Sequence, residues 1–96
     1  MADLLSDQEI SDALENLSGW RREGDALERT AELADFPTAI AAVNRIAEIA
    51  ESLDHHPDID IRWRTLTFRL STHSDGGITA KDTSLAGQID ETISSL

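Results

Sequence analysis

The sequence predicts an α+β sandwich in the order α-β-β-α-β-β-α, a four-stranded antiparallel sheet with three helices packed on one face. Three observations lead there. Capped starts followed by apolar residues at helical spacing recur near residues 6–17, 37–53 and 79–93. Gly24-Asp25 separates two short segments in the manner of a hairpin. The stretch from Ile59 to Thr72 is extended, and its apolar positions change phase midway. Ninety-six residues, with no internal linker, low-complexity tract or long-period repeat, suit one domain over 1–96.

Ser6 and Glu9 form an S-x-x-E capping box, each side chain satisfying a free backbone N–H at the helix start. Ile10, Ala13, Leu14 and Leu17 follow at helical spacing, and Gly19 is the expected terminator. The segment "WRREGDALERTAEL" then reads as a hairpin. Pro37 opens a long helix, where its missing N–H costs nothing. Phe36, Ala39, Ile40, Val43, Ile46, Ala47, Ala50 and Leu53 form its expected apolar face. Pro57 disfavours helical geometry at His56, so the helix should finish near Asp54 or His55.

Ile59, Ile61 and Trp63 occupy odd positions, whereas Leu66, Phe68 and Leu70 occupy even ones. One regular strand cannot bury both sets on one side. The phase slip calls for a bulge or a tight turn at Arg64-Thr65. Such a turn would set Trp63 opposite Leu66, Ile61 opposite Phe68 and Ile59 opposite Leu70. Arg-Thr is poor chemistry for a primed turn, so both options stand. After Gly76-Gly77, Thr79 caps a last helix with Asp82 three residues on, and Leu85, Ile89 and Ile93 form its stripe.

Nineteen acidic against eight basic residues give a formal charge of −11. That balance argues against nucleic acid, whose phosphates need clustered cations, and against an anionic membrane surface. No cysteine is present, so thiolate chemistry and disulfides are excluded. The first residues lack the basic and apolar regions of a signal peptide, and no apolar run is long enough to span a bilayer. A cytoplasmic protein is expected. So is a homodimer or homotetramer, because a short chain with a half-covered sheet leaves an edge strand and an apolar helix face to cover.

The only groups that titrate near neutrality are three histidines in two places: His55-His56 before Pro57, and His73 in "STHSDGG". Both places are ends of regular elements, where loops present functional groups. Glu51 lies one helical turn before His55 and can orient it. Taken singly, an exposed loop histidine beside acids is ordinarily solvated surface. Three histidines with Glu51 or Asp54 would also make a metal-ligand set. Adjacent histidines usually diverge, however, and no H-x-x-x-H spacing occurs, so no metal is expected. T-x-x-D at Asp82 has a plain reading as a helix cap. Trp20 and Trp63 read as packing residues, and Arg62, Arg64 and Arg69 as solvated strand charges.

Taken together, the residues carry a resemblance. Glu51, three residues, "HHP", five residues, Trp63, nine residues, His73, eight residues, Asp82 resembles the signature of the pterin-4a-carbinolamine dehydratases. The likeness runs from "LSGW" at 17–20 through "GITAKD" and "LAGQID". It departs at Ala31, Leu33 and Ile59, where the family often has aromatics.

The resemblance implies a hydro-lyase that removes water from 4a-hydroxytetrahydropterin to give the quinonoid dihydropterin, recycling the pterin of aromatic amino acid hydroxylases. It implies His55, His56 and His73 as the catalytic group, with Glu51 and Asp54 alongside. It further implies Pro57, Thr72, Ser74 and Asp75 as pocket lining, and Asp82 and Trp63 as support, with Asp82 steadying the His73 loop. Histidines alone can move both protons, so no cofactor is implied. The alternative is a non-catalytic protein-binding cofactor or assembly factor on the same fold. Relatives of that kind generally lack the full histidine set.

Overall fold

A computed structural model describes residues 3–96. Helix α1 (Asp7–Leu14) starts at the predicted box: Ser6 Oγ accepts from the Glu9 N–H at 3.1 Å, and Glu9 Oε1 accepts from the Ser6 N–H at 2.8 Å. The helix ends at Leu14, earlier than expected, and turns carry the chain on to bury Leu17 and Trp20. Gly19 is therefore no helix terminator. A Cβ there would stand 2.7 Å from Arg29 Nε, so glycine leaves the space that side chain occupies.

Strands β1 (Arg21–Glu23) and β2 (Ala26–Glu32) form the predicted hairpin around Gly24-Asp25, with Gly24 at a φ of 59°. Helix α2 (Phe36–Leu53) begins at Asp35, whose carboxylate accepts from the Thr38 N–H at 2.8 Å. Strands β3 (Asp58–Arg62) and β4 (Thr65–Leu70) follow, then a 3-10 turn (His73–Asp75) and helix α3 (Ala80–Ser94). The sheet order is β1-β2-β4-β3, antiparallel throughout.

Register decides which face is buried. Leu27 pairs with Leu70, Arg29 with Phe68 and Ala31 with Leu66, so this set points toward the helices. Leu27, Leu66, Phe68 and Leu70 are fully enclosed in one cluster with Ile46, Leu85 and Ile89. The opposite face is polar, with Glu28 against Arg69 and the Thr30 and Thr67 hydroxyls 3.1 Å apart. Trp20 donates from Nε1 to Asp90 of α3 at 2.8 Å, and Arg29 binds the same carboxylate oxygen. No helix of the described residues is long and apolar enough to cross a membrane.

Four expectations need correction. The phase slip is a two-residue turn, but at Trp63-Arg64, pairing Ile61 with Leu66 and Ile59 with Phe68. The reason is local: Arg64 continues the β2 ladder, accepting from the Leu33 N–H at 2.8 Å and donating to the Leu33 carbonyl at 3.2 Å. Trp63 consequently takes a φ of 56°, a strained value for a bulky residue, and stands 70 % exposed rather than packed. Arg64, read as a solvated charge, is part-buried, binds Glu32 and stacks 5.0 Å from the Trp63 ring centroid. The buried stripe of α2 is also rotated from the expected one. Ala39, Ala42, Ile46 and Ala50 face inward, while Phe36, Ala47 and Leu53 are exposed.

Candidate active site

The end of α2 is built to turn the chain sharply. Asp54 adopts the left-handed conformation (φ 50°, ψ 43°) and donates to Glu51 O at 3.2 Å. The His55 N–H reaches back to Ala50 O at 3.0 Å, completing a Schellman motif. Pro57 then bars any return to helix. This geometry throws the His55 ring inward, toward the start of α3.

What it meets there is Asp82, fully buried, whose Oδ1 lies 2.6 Å from His55 Nε2. Its other oxygen, Oδ2, accepts from the Thr79 N–H at 2.9 Å and from the Thr72 hydroxyl at 2.8 Å. The Thr72 proton being committed, the Thr79 hydroxyl 2.7 Å away donates to Thr72. Every group of this buried network is satisfied, the condition under which a polar cluster specifies one geometry. Asp82 thus does two things with one carboxylate. It closes the capping box of α3, and it joins the His55 ring to the residue that opens the His73 turn.

A carboxylate only accepts, so His55 donates from Nε2 and leaves Nδ1 as the open acceptor. The His55 side chain is about one-tenth exposed and lines a cavity of about 290 Å³ with Leu53, Ala80, Lys81 and Ser84.

The other predicted residues are placed as follows. His56 and Glu51 are exposed and face each other, with 3.1 Å between Nε2 and Oε2. Glu51 therefore meets His56, not His55, because the chain has left the helix before it reaches either histidine. His73 opens the 3-10 turn and lines a second cavity of about 250 Å³ with Asp25, Asp58, Arg69, Ser71 and Gly76. His55 and His73 thus border different cavities, linked through Asp82 and Thr72. Asp54 and Ser74 are exposed, Pro57 is half-buried, and Thr72 is buried within the Asp82 network. Asp75 Oδ2 is enclosed and has no hydrogen-bond partner among the described residues. Trp63 sits at the tip of the β3–β4 hairpin. No three His, Asp or Glu side chains of the described residues gather as metal ligands do.

Sequence reasoning does not single out Lys81, Ser84 or Asp25 and reads Arg69 as a solvated strand charge, whereas all four line the two cavities. For Lys81 a signal existed: it is the only lysine of the chain and directly precedes Asp82.

An inward histidine on a buried carboxylate is an arrangement suited to moving protons, and comparison with known proteins gives the fold a family. The family model described as pterin 4 alpha carbinolamine dehydratase matches residues 3–92. The chain belongs to this family. A protein of Nocardia farcinica is 60% identical over 89 residues, covering 93% of this chain and 94% of its own. One of Mycobacteroides abscessus is 62% identical over 90 residues, covering 94% and 96%. Both are named, provisionally, pterin-4-alpha-carbinolamine dehydratase. Among solved structures, a transcriptional coactivator/pterin dehydratase from Brucella melitensis superposes with a TM-score of 0.92 at 31% identity, covering 95% of this chain and 99% of that one. A pterin dehydratase-like protein identified as a RuBisCO assembly factor in the α-carboxysome matches at TM-score 0.67 and 18% identity, over 78% and 89%, a likeness of fold alone.

Proposed function

We propose that this chain, as a single cytoplasmic domain, dehydrates a 4a-hydroxytetrahydropterin to the quinonoid dihydropterin, in the recycling of the pterin used by an aromatic amino acid hydroxylase. The observation that carries the reading is the His55–Asp82 contact of 2.6 Å at the wall of a cavity. Dehydration needs one proton delivered to the departing hydroxyl and one removed from the ring nitrogen. The C4a–O bond breaks, water leaves, and the nitrogen lone pair forms the new C=N bond. An imidazole whose outer nitrogen alone is open can serve in such a transfer, and Asp82 fixes its orientation and tautomer. His56 and His73 supply the second transfer and hold the ring, which must extend from the His55 cavity toward the neighbouring one for His73 to touch it. Asp54, Pro57 and the Thr72–Asp75 segment line its polar edge.

The site works in a homodimer or homotetramer. Support comes from the edge strand β3, with Ile61 exposed, and from the apolar Phe36 and Leu53 on α2. These same exposed groups favour a second reading, a protein-binding cofactor on the same fold. A direct dehydration assay on freshly generated 4a-carbinolamine separates the two. Acceleration over the uncatalysed reaction supports the dehydratase. A folded protein that gives none refutes it.

A further inference from the structure

The basic residues of the chain are seven arginines and one lysine. Six of the arginines lie within 4.0 Å of a carboxylate. Arg45 meets only Ser95 Oγ, at 3.4 Å, on the far end of α3. Lys81 has no carboxylate within that distance among the described residues, and it lines the same cavity as His55. In a chain of charge −11 an uncommitted ammonium is uncommon, and this one stands in the wall of the site.

Its position is set by the network already described. The Lys81 N–H donates to Thr79 Oγ1 at 3.2 Å in the first turn of α3, and the next residue is Asp82. Successive helical side chains point about 100° apart, so the turn that sends Asp82 inward to His55 sends Lys81 to one side of it. The remaining wall is largely apolar, from Leu53 and Ala80, with the Ser84 hydroxyl beside them. A flat ring fits such a space with its O4–N5 side toward His55 and Lys81, which leaves its amino-pyrimidine edge to Asp54, Pro57 and the Thr72–Asp75 segment.

We propose that Lys81 is a substrate-recognition residue that binds the 4-oxo group of the pterin. The inference rests on the dehydratase reading for its substrate. In a 4a-hydroxytetrahydropterin the carbonyl carbon C4 is bonded to C4a, which carries the departing hydroxyl. A ring that offers its N5–H, on the nitrogen bonded to the same C4a, to the open Nδ1 of His55 presents the carbonyl oxygen beside it to the neighbouring cation. Positive charge develops on the ring-nitrogen side during dehydration, and the carbonyl changes little. Lys81 therefore holds substrate and transition state about equally, which lowers KM and leaves kcat alone.

The test compares wild type, Lys81→Met and Lys81→Arg in two measurements. One is steady-state dehydration of freshly generated 4a-carbinolamine. The other is calorimetric binding of 7,8-dihydropterin and of its analogue without the 4-oxygen. Lys81 is exposed, so the variants fold. Lys81→Met is expected to raise KM and the dihydropterin Kd about tenfold, the scale of one charge-assisted hydrogen bond, with kcat within about threefold. Lys81→Arg should recover most of the loss, and the analogue should bind wild type and Lys81→Met alike. Unchanged KM and Kd in Lys81→Met overturn the proposal, as does a fall in kcat alone or an equal loss with the analogue. A wild-type protein that binds dihydropterin without dehydrating the carbinolamine refutes the dehydratase reading, while its Lys81 dependence still decides this one. Wild type that binds no dihydropterin overturns the proposal.

Discussion

Asp82→Asn separates the two tasks of the buried carboxylate. The substitution keeps the volume but converts one acceptor oxygen into an NH₂ donor. Placed at Oδ2, the NH₂ would oppose the Thr79 N–H and the Thr72 hydroxyl, and the backbone N–H cannot turn away. Placed at Oδ1, it faces only the His55 ring, which adapts by accepting at Nε2 and carrying its proton on Nδ1. The second arrangement costs less. Three bonds drop from charge-assisted to neutral strength, a loss of about 2 kcal/mol once their sharing of one group is allowed for. For a domain of this size that is a fall in Tm of roughly 10 °C. Turnover should suffer far more, because Nδ1 is now the wrong tautomer to accept a proton. The same change in the aspartate of a serine-protease triad lowers kcat by about 10⁴, and a loss of at least about 10² is expected here. Thermal unfolding and single-turnover dehydration are to be measured on the same samples. Ile89→Val serves as the comparison, a fully buried core change costing about 1 kcal/mol that should leave turnover near normal. A folded Asp82→Asn protein within threefold of wild-type turnover would refute the tautomer argument.

The remaining predictions concern the histidines, metal and pH. His56→Ala and His73→Ala should each lower turnover by about 10²-fold or more, with stability changed by about half a kcal/mol or less since both side chains are exposed. A His55→Ala, His56→Ala double variant should lose nearly all activity, and a folded double variant of near-normal turnover would return these residues to solvated surface. Exhaustive chelation should leave the dehydration rate unchanged; loss restored by one particular divalent ion would overturn that. The Asp35 carboxyl is held below its ordinary value of 3.8, chiefly by its hydrogen bond from Thr38, so its capping contribution is present above about 3.8 and lost as pH falls through the lowered value. The difference in urea midpoint between wild type and Asp35→Ala should therefore be clear at pH 7 and shrink below pH 3.8, and a gap that widens in acid would contradict the cap.

Much of the scaffold that positions the candidate site is legible in the sequence because its parts are local. The S-x-x-E box, the T-x-x-D box and the proline after two histidines each act within one helical turn, so their consequences can be read from neighbours. The partner of Glu51 differs from the expected one for the same reason. One-turn spacing points to His55, but the Schellman turn at Asp54 breaks the helical phase and hands Glu51 to His56. Trp63 lies one residue of register from its expected place, a shift set by a long-range bond between Leu33 and Arg64 that no spacing within 59–72 records.

By itself, the sequence determined the element order, the caps, the antiparallel hairpins and the residue types available for proton transfer. Those depend on backbone propensity and on periodicity, which are properties of adjacent residues. Only the tertiary structure decided that Asp82 grips His55 across 27 positions of chain, and that Thr72 and Thr79 close the network around it. It alone set the lone lysine in the wall of the same cavity. The reason is burial. A carboxylate withdrawn from water must find donors wherever the packed core brings them, and that meeting is fixed by how α2 and α3 end against one another, not by the spacing of any motif.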